Sequence, residues 1–246
     1  MPDWMGMSDA DPVSGGSGAP ARLSTVRSDL LRRVHPGWAV TSAMVAPYAE
    51  AWAAANARAQ AGTGPLWVAL GDSTAQGIGA SSHDRGYVGG LLAWLDERTG
   101  RPWRVVNLSR SGARAADVLV EQVPAFEAID TRPALVTLAV GANDMVRRTP
   151  LARLEESLIA VLDRLPRGSV VGTLPQGLGR RRPPVVNDLI ARLAVERGMV
   201  VADLWSRTGP PWRGNFAADS FHPNDTGYRN WLAGFTEALA PRWPSL

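Results

Sequence analysis

The feature that most constrains the fold is an alternation of short apolar segments with longer amphipathic ones, which begins at Leu66. The short segments predict strands at Leu66–Leu70, Arg104–Leu108, Ala134–Val140, Ser169–Thr173 and Met199–Leu204. The longer segments predict helices at Tyr87–Arg98, Ala115–Ala125, Leu151–Leu165, Pro184–Arg197 and about Thr226–Leu239. Because several strands are continuously apolar, the pattern predicts an α/β fold with a parallel sheet that helices cover on both faces.

Composition excludes several classes of function. The chain of 246 residues has no cysteine, which rules out disulfides, thiolate metal sites and cysteine nucleophiles. All its basic residues are arginine, and the high isoelectric point follows from their high pKa at a net charge of only +3. The charge therefore does not indicate a nucleic-acid partner, and none is expected.

Three regions are predicted along the chain. Residues 1–21 are rich in Gly, Ser and Pro and predict a disordered tail. Residues 22–62 predict a helical arm, with a short basic helix at Arg22–Val34 and a second helix at Pro47–Gln60. The arm is expected to pack against the main domain, residues 63–246. A lid over the site and a docking surface remain alternatives.

The N-terminal region gives no sign of export or membrane insertion. Met1–Arg22 has no apolar core of a signal peptide, and the apolar stretch Trp38–Ala57 is interrupted by Pro47 and Glu50. The sequence therefore predicts a cytoplasmic protein without an integral membrane segment, and it leaves the oligomeric state open.

Ser73 is the first candidate for chemistry. It follows the predicted strand Leu66–Leu70 in the triplet Gly71-Asp72-Ser73, at the carboxyl end where open α/β sheets build their sites. A serine hydroxyl needs a base to become a nucleophile. The candidate bases are the three histidines: His35, His83 and His222.

His222 is the best placed of these bases. Asp219 precedes it by three residues, close enough for the carboxylate to orient the imidazole and to fix its tautomer. Taken alone, the same residues are more typical of a turn that Asp219 caps, with His222 on the surface before the last helix.

Two further loops follow predicted strands and carry hydrogen-bond donors. Gly112 offers a bare backbone N–H, and the Asn143 side-chain amide can donate to an oxyanion. A turn glycine and a helix cap are the ordinary alternatives. All four loops should open at one edge of the sheet, where they would supply a nucleophile, a base, an orienting acid and oxyanion donors.

At this point the chain resembles a known family. Gly71-Asp72-Ser73, Gly112, Gly141-Ala142-Asn143-Asp144 and Asp219-Ser220-Phe221-His222 are similar, in order, to the four blocks of the SGNH (GDSL) hydrolases. The resemblance covers roughly Pro65 to the C-terminus. It implies a flavodoxin-like, three-layer α/β/α fold with a five-stranded parallel sheet, and no metal or cofactor.

The resemblance also implies roles for individual residues. Ser73 would be the nucleophile, His222 the base and Asp219 its partner, and Ser73, Gly112 and Asn143 would form the oxyanion hole. The chain departs from the family's name-giving motif in having Thr74 after the serine.

Other residues near these motifs are candidates for the substrate pocket. Trp212 and Phe216 lie just ahead of Asp219 and could form its walls, and Arg110 places positive charge beside Gly112. A solvated basic rim is the alternative for Arg110 and for the neighbouring Arg114, Arg147 and Arg148.

The predicted function is serine-dependent hydrolysis of carboxylic esters, with a small-molecule, lipid or glycan ester as substrate. Three alternatives stay open: an O-deacetylase or acyltransferase acting on a glycan, a catalytically silent binding module of the same fold, and a metal-dependent phosphoesterase. The last would use Asp72, Asn143, Asp144 and His222, but their spacing matches no metal motif.

Overall fold

A computed structural model of the protein describes residues 36–242. The sheet has five strands: β1 (Leu66–Gly71), β2 (Arg104–Asn107), β3 (Leu135–Ala139), β4 (Val170–Gly172) and β5 (Val200–Ala202). They are all parallel and lie in the order β2-β1-β3-β4-β5. This order is that of the flavodoxin-like fold, whose ligands bind at the carboxyl ends of the strands. The predicted fold class is confirmed.

Helices cover both faces of the sheet. The α-helices are α1 (Pro36–Ala61), α2 (Tyr87–Thr99), α3 (Ala115–Asp117), α4 (Val123–Glu127), α5 (Ala142–Val146), α6 (Leu151–Leu162), α7 (Arg182–Glu196), α8 (Leu204–Arg207) and α9 (Asp225–Leu239). A π-helical turn, Val118–Gln122, joins α3 to α4, and 3₁₀ turns lie at His83–Arg85 and Ala240–Arg242.

Alternate side chains of β1 belong to two separate hydrophobic cores. Val68 and Leu70 pack with residues of α3, α4, α6 and α7 on one face. Trp67 and Ala69 pack with α1, α2 and α9 on the other. Because side chains on both faces of β1 are buried, the strand is an uninterrupted apolar run, as expected for a parallel sheet covered on both sides.

The sequence overestimated the length of four of the five strands. The predicted strand Met199–Leu204 ends at Ala202, because the Asp203 side chain accepts a hydrogen bond from Ser206 N–H and starts α8. The predicted strand Ser169–Thr173 is likewise reduced to Val170–Gly172. The short helices α5 and α8 were not predicted.

The N-terminal helix differs most from prediction. It begins at Pro36 rather than Pro47, and Pro47 lies inside it. A proline removes one backbone hydrogen bond from a helix. Here Pro47 is on the exposed side, while Thr41 before it and Trp52 after it are buried against the domain, so tertiary contacts hold both halves as one helix.

α1 also covers the edge of the sheet. The side-chain amide of Asn56 donates to the carbonyl of Asn107, and its oxygen accepts from Asn107 N–H, each at 2.8 Å. An unpaired edge strand invites association with other chains, and this pairing satisfies the end of β2.

The predicted tail, residues 1–21, and the predicted helix Arg22–Val34 lie outside the described residues, and the domain boundaries stay predictions. Within residues 36–242, no helix combines the length and apolar character that crossing a bilayer requires.

Candidate active site

The four predicted loops meet at the carboxyl edge of the sheet. The turn after β1 carries Ser73, the loop after β2 carries Gly112, and α5, after β3, carries Asn143. The segment before α9 brings Asp219 and His222 to the same place. Because the strands are parallel, all their carboxyl ends open on one side, and this explains the convergence.

The turn after β1 needs a glycine at its start. Gly71 has a φ of 154°, and a Cβ added there would lie 2.4 Å from the carbonyl oxygen of Ala139 on the neighbouring strand. The side chain of Gln122, whose role the sequence did not reveal, bonds both the N–H and the carbonyl of Gly71. The backbone that presents Ser73 is therefore fixed from two sides.

Ser73 and His222 are in hydrogen-bond contact. The distance from Ser73 Oγ to His222 Nε2 is 2.9 Å, and both residues are buried. The other ring nitrogen, Nδ1, lies 2.6 Å from Oδ2 of Asp219. The three side chains thus form one continuous chain of hydrogen bonds from carboxylate to hydroxyl.

The Asp219 carboxylate is held by its own loop. Its Oδ1 accepts hydrogen bonds from the backbone N–H groups of Phe221 and His222, at 3.0 and 2.9 Å. Burial acts to raise the pKa of this carboxyl, but the hydrogen bond and charge of His222, with Phe221 N–H and the Thr41 hydroxyl, outweigh it and lower the pKa to about 2. An ionised Asp219 is the state that stabilises an imidazolium.

The loops that meet at this edge carry three candidate donors for a substrate oxygen: the N–H groups of Ser73 and Gly112 and the side-chain amide of Asn143. Within residues 36–242, neither the Ser73 N–H nor the Gly112 N–H donates to a protein group, so both are free for a substrate oxygen. The Asn143 amide donates to the Ala113 carbonyl at 3.0 Å and to the Asp72 carboxylate at 3.5 Å, and a substrate oxygen would take the place of this second, longer contact. This set can bind the oxyanion of a tetrahedral intermediate.

Two buried aspartates next to these groups connect loops. Asp72 accepts from the N–H and the hydroxyl of Thr74, at 2.9 and 2.8 Å. Asp144 accepts from Ala115 N–H at 3.0 Å and so ties the β3 loop to the start of α3. Burial raises the pKa of both carboxyls.

The side chain of Gln76 supports the loop that carries Gly112. It donates to the Ser109 carbonyl at 3.0 Å and accepts from Ser111 N–H at 3.1 Å. Gln76 belongs to the turn that follows Ser73, so the turn that carries Ser73 and the loop that carries Gly112 are joined directly. A glutamine in a loop gives no signal of this role in the sequence.

A mainly apolar cavity of about 90 Å³ opens beside Ser73 and Asn143. Trp212 and Phe216 line it, as do Leu178 and Phe221, which the sequence did not single out. Leu178 belongs to the segment after β4, and no sequence motif predicted that this segment lines the cavity.

Arg110 is not among the residues that line this cavity. Its guanidinium pairs with Glu121 at 2.5 Å and lies 3.9 Å from Asp117. Arg147, from the β3 side of the site, approaches Gly112, since its Nη2 atom would lie 3.7 Å from a Cβ on that glycine. His83 packs against Tyr48 and Trp52, away from Ser73.

The described part of the chain contains no group of three or more His, Asp or Glu side chains arranged to hold a metal ion. The metal-dependent alternative therefore gains no support from the arrangement of Asp72, Asp144 and His222.

Comparisons with known proteins agree with this geometry. The sequence profile of the GDSL-like Lipase/Acylhydrolase family matches residues 69–229. The crystal structure of TesA shares 25% sequence identity with the chain, covers 72% of it and 98% of TesA, and has a TM-score of 0.62. No curated protein sequence gives a significant match.

Two other structures share the fold at lower identity. The acetylxylan esterase Axe2 from Geobacillus stearothermophilus is 19% identical, with a TM-score of 0.57 over 72% of this chain and 95% of that one. The lipase Lip_vut3 from a goat rumen metagenome is 16% identical, with a TM-score of 0.60 over 71% and 97%.

Proposed function

Because this chain belongs to the GDSL-like lipase/acylhydrolase family and is a carboxylic ester hydrolase, we propose that it works through a Ser73–His222–Asp219 triad. The observation that carries the proposal is the unbroken contact chain from Asp219 Oδ2 to Ser73 Oγ, with steps of 2.6 and 2.9 Å. These are hydrogen-bond distances suited to proton transfer between a nucleophile and its base.

In the first half-reaction, Ser73 Oγ attacks the ester carbonyl carbon while His222 Nε2 takes the hydroxyl proton. The carbonyl electrons move to the oxygen, which the Ser73 N–H, the Gly112 N–H and the Asn143 amide stabilise. The intermediate then collapses, the C–O bond to the alcohol breaks, and His222 returns its proton to the leaving oxygen.

In the second half-reaction, a water molecule attacks the acyl-serine in the same manner. His222 takes a proton from that water. The tetrahedral intermediate then collapses, the bond from its carbon to Ser73 Oγ breaks, and His222 returns the proton to Oγ, which frees the serine and releases a carboxylic acid. Asp219 stays ionised throughout and stabilises the imidazolium, consistent with its low pKa.

The cavity beside Ser73 supports a short acyl group. Its volume of about 90 Å³ is well below that of a roughly 150 Å³ apolar cavity that accepts benzene. An acetyl to butyryl chain fits such a space, whereas a palmitoyl chain does not. We therefore propose short-chain esters as the substrates.

One observation favours a second candidate, O-deacetylation of a glycan. Trp212 lies at the cavity rim with 44% of its surface exposed, and its indole N–H is anchored on the Thr208 carbonyl. A fixed, exposed indole with a polar edge is a suitable platform for an amphipathic ring such as a sugar. The acetylxylan esterase Axe2 has the same fold.

The test is hydrolysis of p-nitrophenyl esters, from acetate to palmitate, by the wild type and by Ser73→Ala with EDTA present. We expect activity that survives EDTA, is highest on acetate to butyrate and is lost in the variant. Activity retained by Ser73→Ala would refute the triad, and a maximum at palmitate would refute the short-chain proposal.

A further inference from the structure

The N-terminal helix α1 lies wholly outside the residues that the family profile matches, 69–229. Even so, its first turns pack against the loop that carries Asp219 and His222. Its later turns anchor on the nucleophile turn, where Tyr48 donates to the Ala80 carbonyl and Trp52 to the Gln76 carbonyl. A helix outside the family core therefore contacts the loops on both sides of the triad.

The closest approach is at Gly37. A Cβ added there would lie 1.9 Å from the carbonyl oxygen of Ala218 and 2.7 Å from Asp219 N. Only a glycine allows two backbones to come so near, and any side chain at this position would push the helix off the loop. The contact fixes the backbone directly before the triad carboxylate.

Trp38 covers the imidazole from the same side. Its ring centroid is 5.9 Å from that of Phe221, at an interplanar angle of 21°, and 6.3 Å from that of His222, at 69°. Phe221 in turn meets His222 edge to face at 5.0 Å. Such aromatic pairs resist displacement, so the imidazole is confined between rings rather than open to solvent.

Thr41 reaches the acid itself. Its side chain is almost fully buried, and its hydroxyl is one of the groups near the Asp219 carboxylate that keep the pKa of that carboxyl low. The other acceptors near its hydroxyl, the carbonyls of Gly37 and Trp38, are at 3.4 Å. A buried carboxylate requires such donors to remain ionised and in place.

We propose that the first two turns of α1 are part of the active site, with Trp38 and Thr41 as positioning residues that hold His222 and Asp219 in line with Ser73. This inference rests on the proposed triad. It assigns to this helix a role in turnover beyond covering the edge of the sheet.

The experiment compares Thr41→Val, which removes only the hydroxyl, with Thr41→Ser, which restores it. We expect Thr41→Val to lower kcat on p-nitrophenyl acetate about tenfold, because the hydroxyl is one of the groups that keep the Asp219 carboxyl ionised. KM should change by less than about twofold, because no contact with bound ester is removed. Thr41→Ser should recover most of the lost kcat.

The matched control is Thr137→Val in β3, whose buried hydroxyl accepts from the Trp67 indole at 3.0 Å, inside the core. It should lower thermal stability and leave kcat near the wild-type value. For the aromatic contact, Trp38→Ala should lower kcat, whereas Trp94→Ala, which removes another half-buried indole packed on the core, should not.

The inference is overturned if Thr41→Val and Trp38→Ala keep wild-type kcat, or if Thr41→Ser fails to recover the loss in Thr41→Val. Labelling with a fluorophosphonate separates this from failure of the triad itself. Wild-type enzyme labelled at Ser73 supports the triad whatever the α1 variants do, and wild-type enzyme left unlabelled at Ser73 overturns both proposals.

Discussion

His222 Nε2 lies 2.9 Å from Ser73 Oγ, although 149 positions separate the two residues in the sequence. The contact joins the first strand to the segment before the last helix, so it forms only when the whole sheet is assembled. The contact matters because a serine hydroxyl is a poor nucleophile unless a base can take its proton.

The proposed role of Asn143 as an oxyanion donor predicts a selective loss of turnover. Asn143→Ala should lower kcat by roughly 10²–10³, the usual effect of deleting one oxyanion donor. The thermal midpoint should change little, because the only short hydrogen bond lost is the one to the Ala113 carbonyl. Wild-type kcat in a folded Asn143→Ala protein would remove this residue from the mechanism.

The architecture could be predicted from the sequence because its cause is local. A strand buried on both faces must be apolar throughout, and Leu66–Leu70 shows this directly. The four motif positions followed from the parallel order, since loops after parallel strands share an edge. Strand ends were less predictable, because side-chain contacts such as that of Asp203 with Ser206 N–H decide them.

The features that could not be predicted from the sequence depend on contacts between segments that are far apart in the chain. Nothing local in Gln76, Gln122 or Thr41 indicates that these side chains brace the site, since each acts through a partner far along the chain. The helix across Pro47 was missed for the same reason: intrinsic propensity disfavours it, and tertiary packing overrides that preference.

The turn at Gly71 predicts a large loss of stability for Gly71→Ala. The new methyl group would meet the Ala139 backbone oxygen at 2.4 Å in a conformation that L side chains rarely adopt, so neither strand can yield. Gly100→Ala is the matched control, with positive φ but no atom within 4 Å. Gly100→Ala should cost about 1–2 kcal/mol.

Urea unfolding of both variants tests this pair. We expect the free energy of unfolding to fall much further in Gly71→Ala than in Gly100→Ala, or Gly71→Ala not to fold. Equal losses in the two variants would show that the close approach to Ala139 carries no cost.

Asp72 should limit stability at neutral and alkaline pH. Its pKa in the folded protein is raised by burial above the usual value of about 3.9. Its contribution to stability is therefore fully present below about pH 4 and is lost as pH rises through the folded pKa. Asp72→Asn keeps an acceptor for Thr74 and should unfold at a higher temperature than the wild type at about pH 8.

The control for this prediction is pH itself. The difference in unfolding temperature between Asp72→Asn and the wild type should become smaller as pH falls towards 4, where the wild-type carboxyl is neutral like the asparagine amide. Thermal unfolding followed at several pH values measures it. An advantage that is constant with pH would mean that ionisation of Asp72 carries no cost.

Asp219 has the opposite linkage. Its pKa is about 2 in the folded protein, below the usual value of about 3.9, so it stabilises the fold above about pH 4. That stability is lost as pH falls through the folded pKa. In urea unfolding, the free energy of unfolding of the wild type should exceed that of Asp219→Asn most at about pH 6. This difference in stability should become smaller as pH falls below about 4.

Asp219→Asn also tests the relative importance of the residues in the proposed triad. The hydrogen-bonded loop should keep the side chain in place, so the variant should retain more activity than Ser73→Ala, which loses the nucleophile. Activity equal to the wild type would refute Asp219 as the partner of His222. A difference in the free energy of unfolding between wild type and Asp219→Asn that grows on acidification would contradict the low pKa of Asp219.

Trp212 distinguishes a glycan substrate from a simple ester. Its exposed indole stands at the cavity rim, where a leaving alcohol would emerge, while the acyl group would lie deeper beside Phe216. If a sugar ring stacks there, Trp212→Ala should raise KM for an acetylated xylo-oligosaccharide by about tenfold, the effect of losing one aromatic stacking contact. KM for p-nitrophenyl acetate should change much less. The matched variant is Phe216→Ala, which should impair the hydrolysis of both substrates. Equal effects of Trp212→Ala on the two substrates would assign the indole to packing of the rim, and the glycan candidate would lose the observation that favours it.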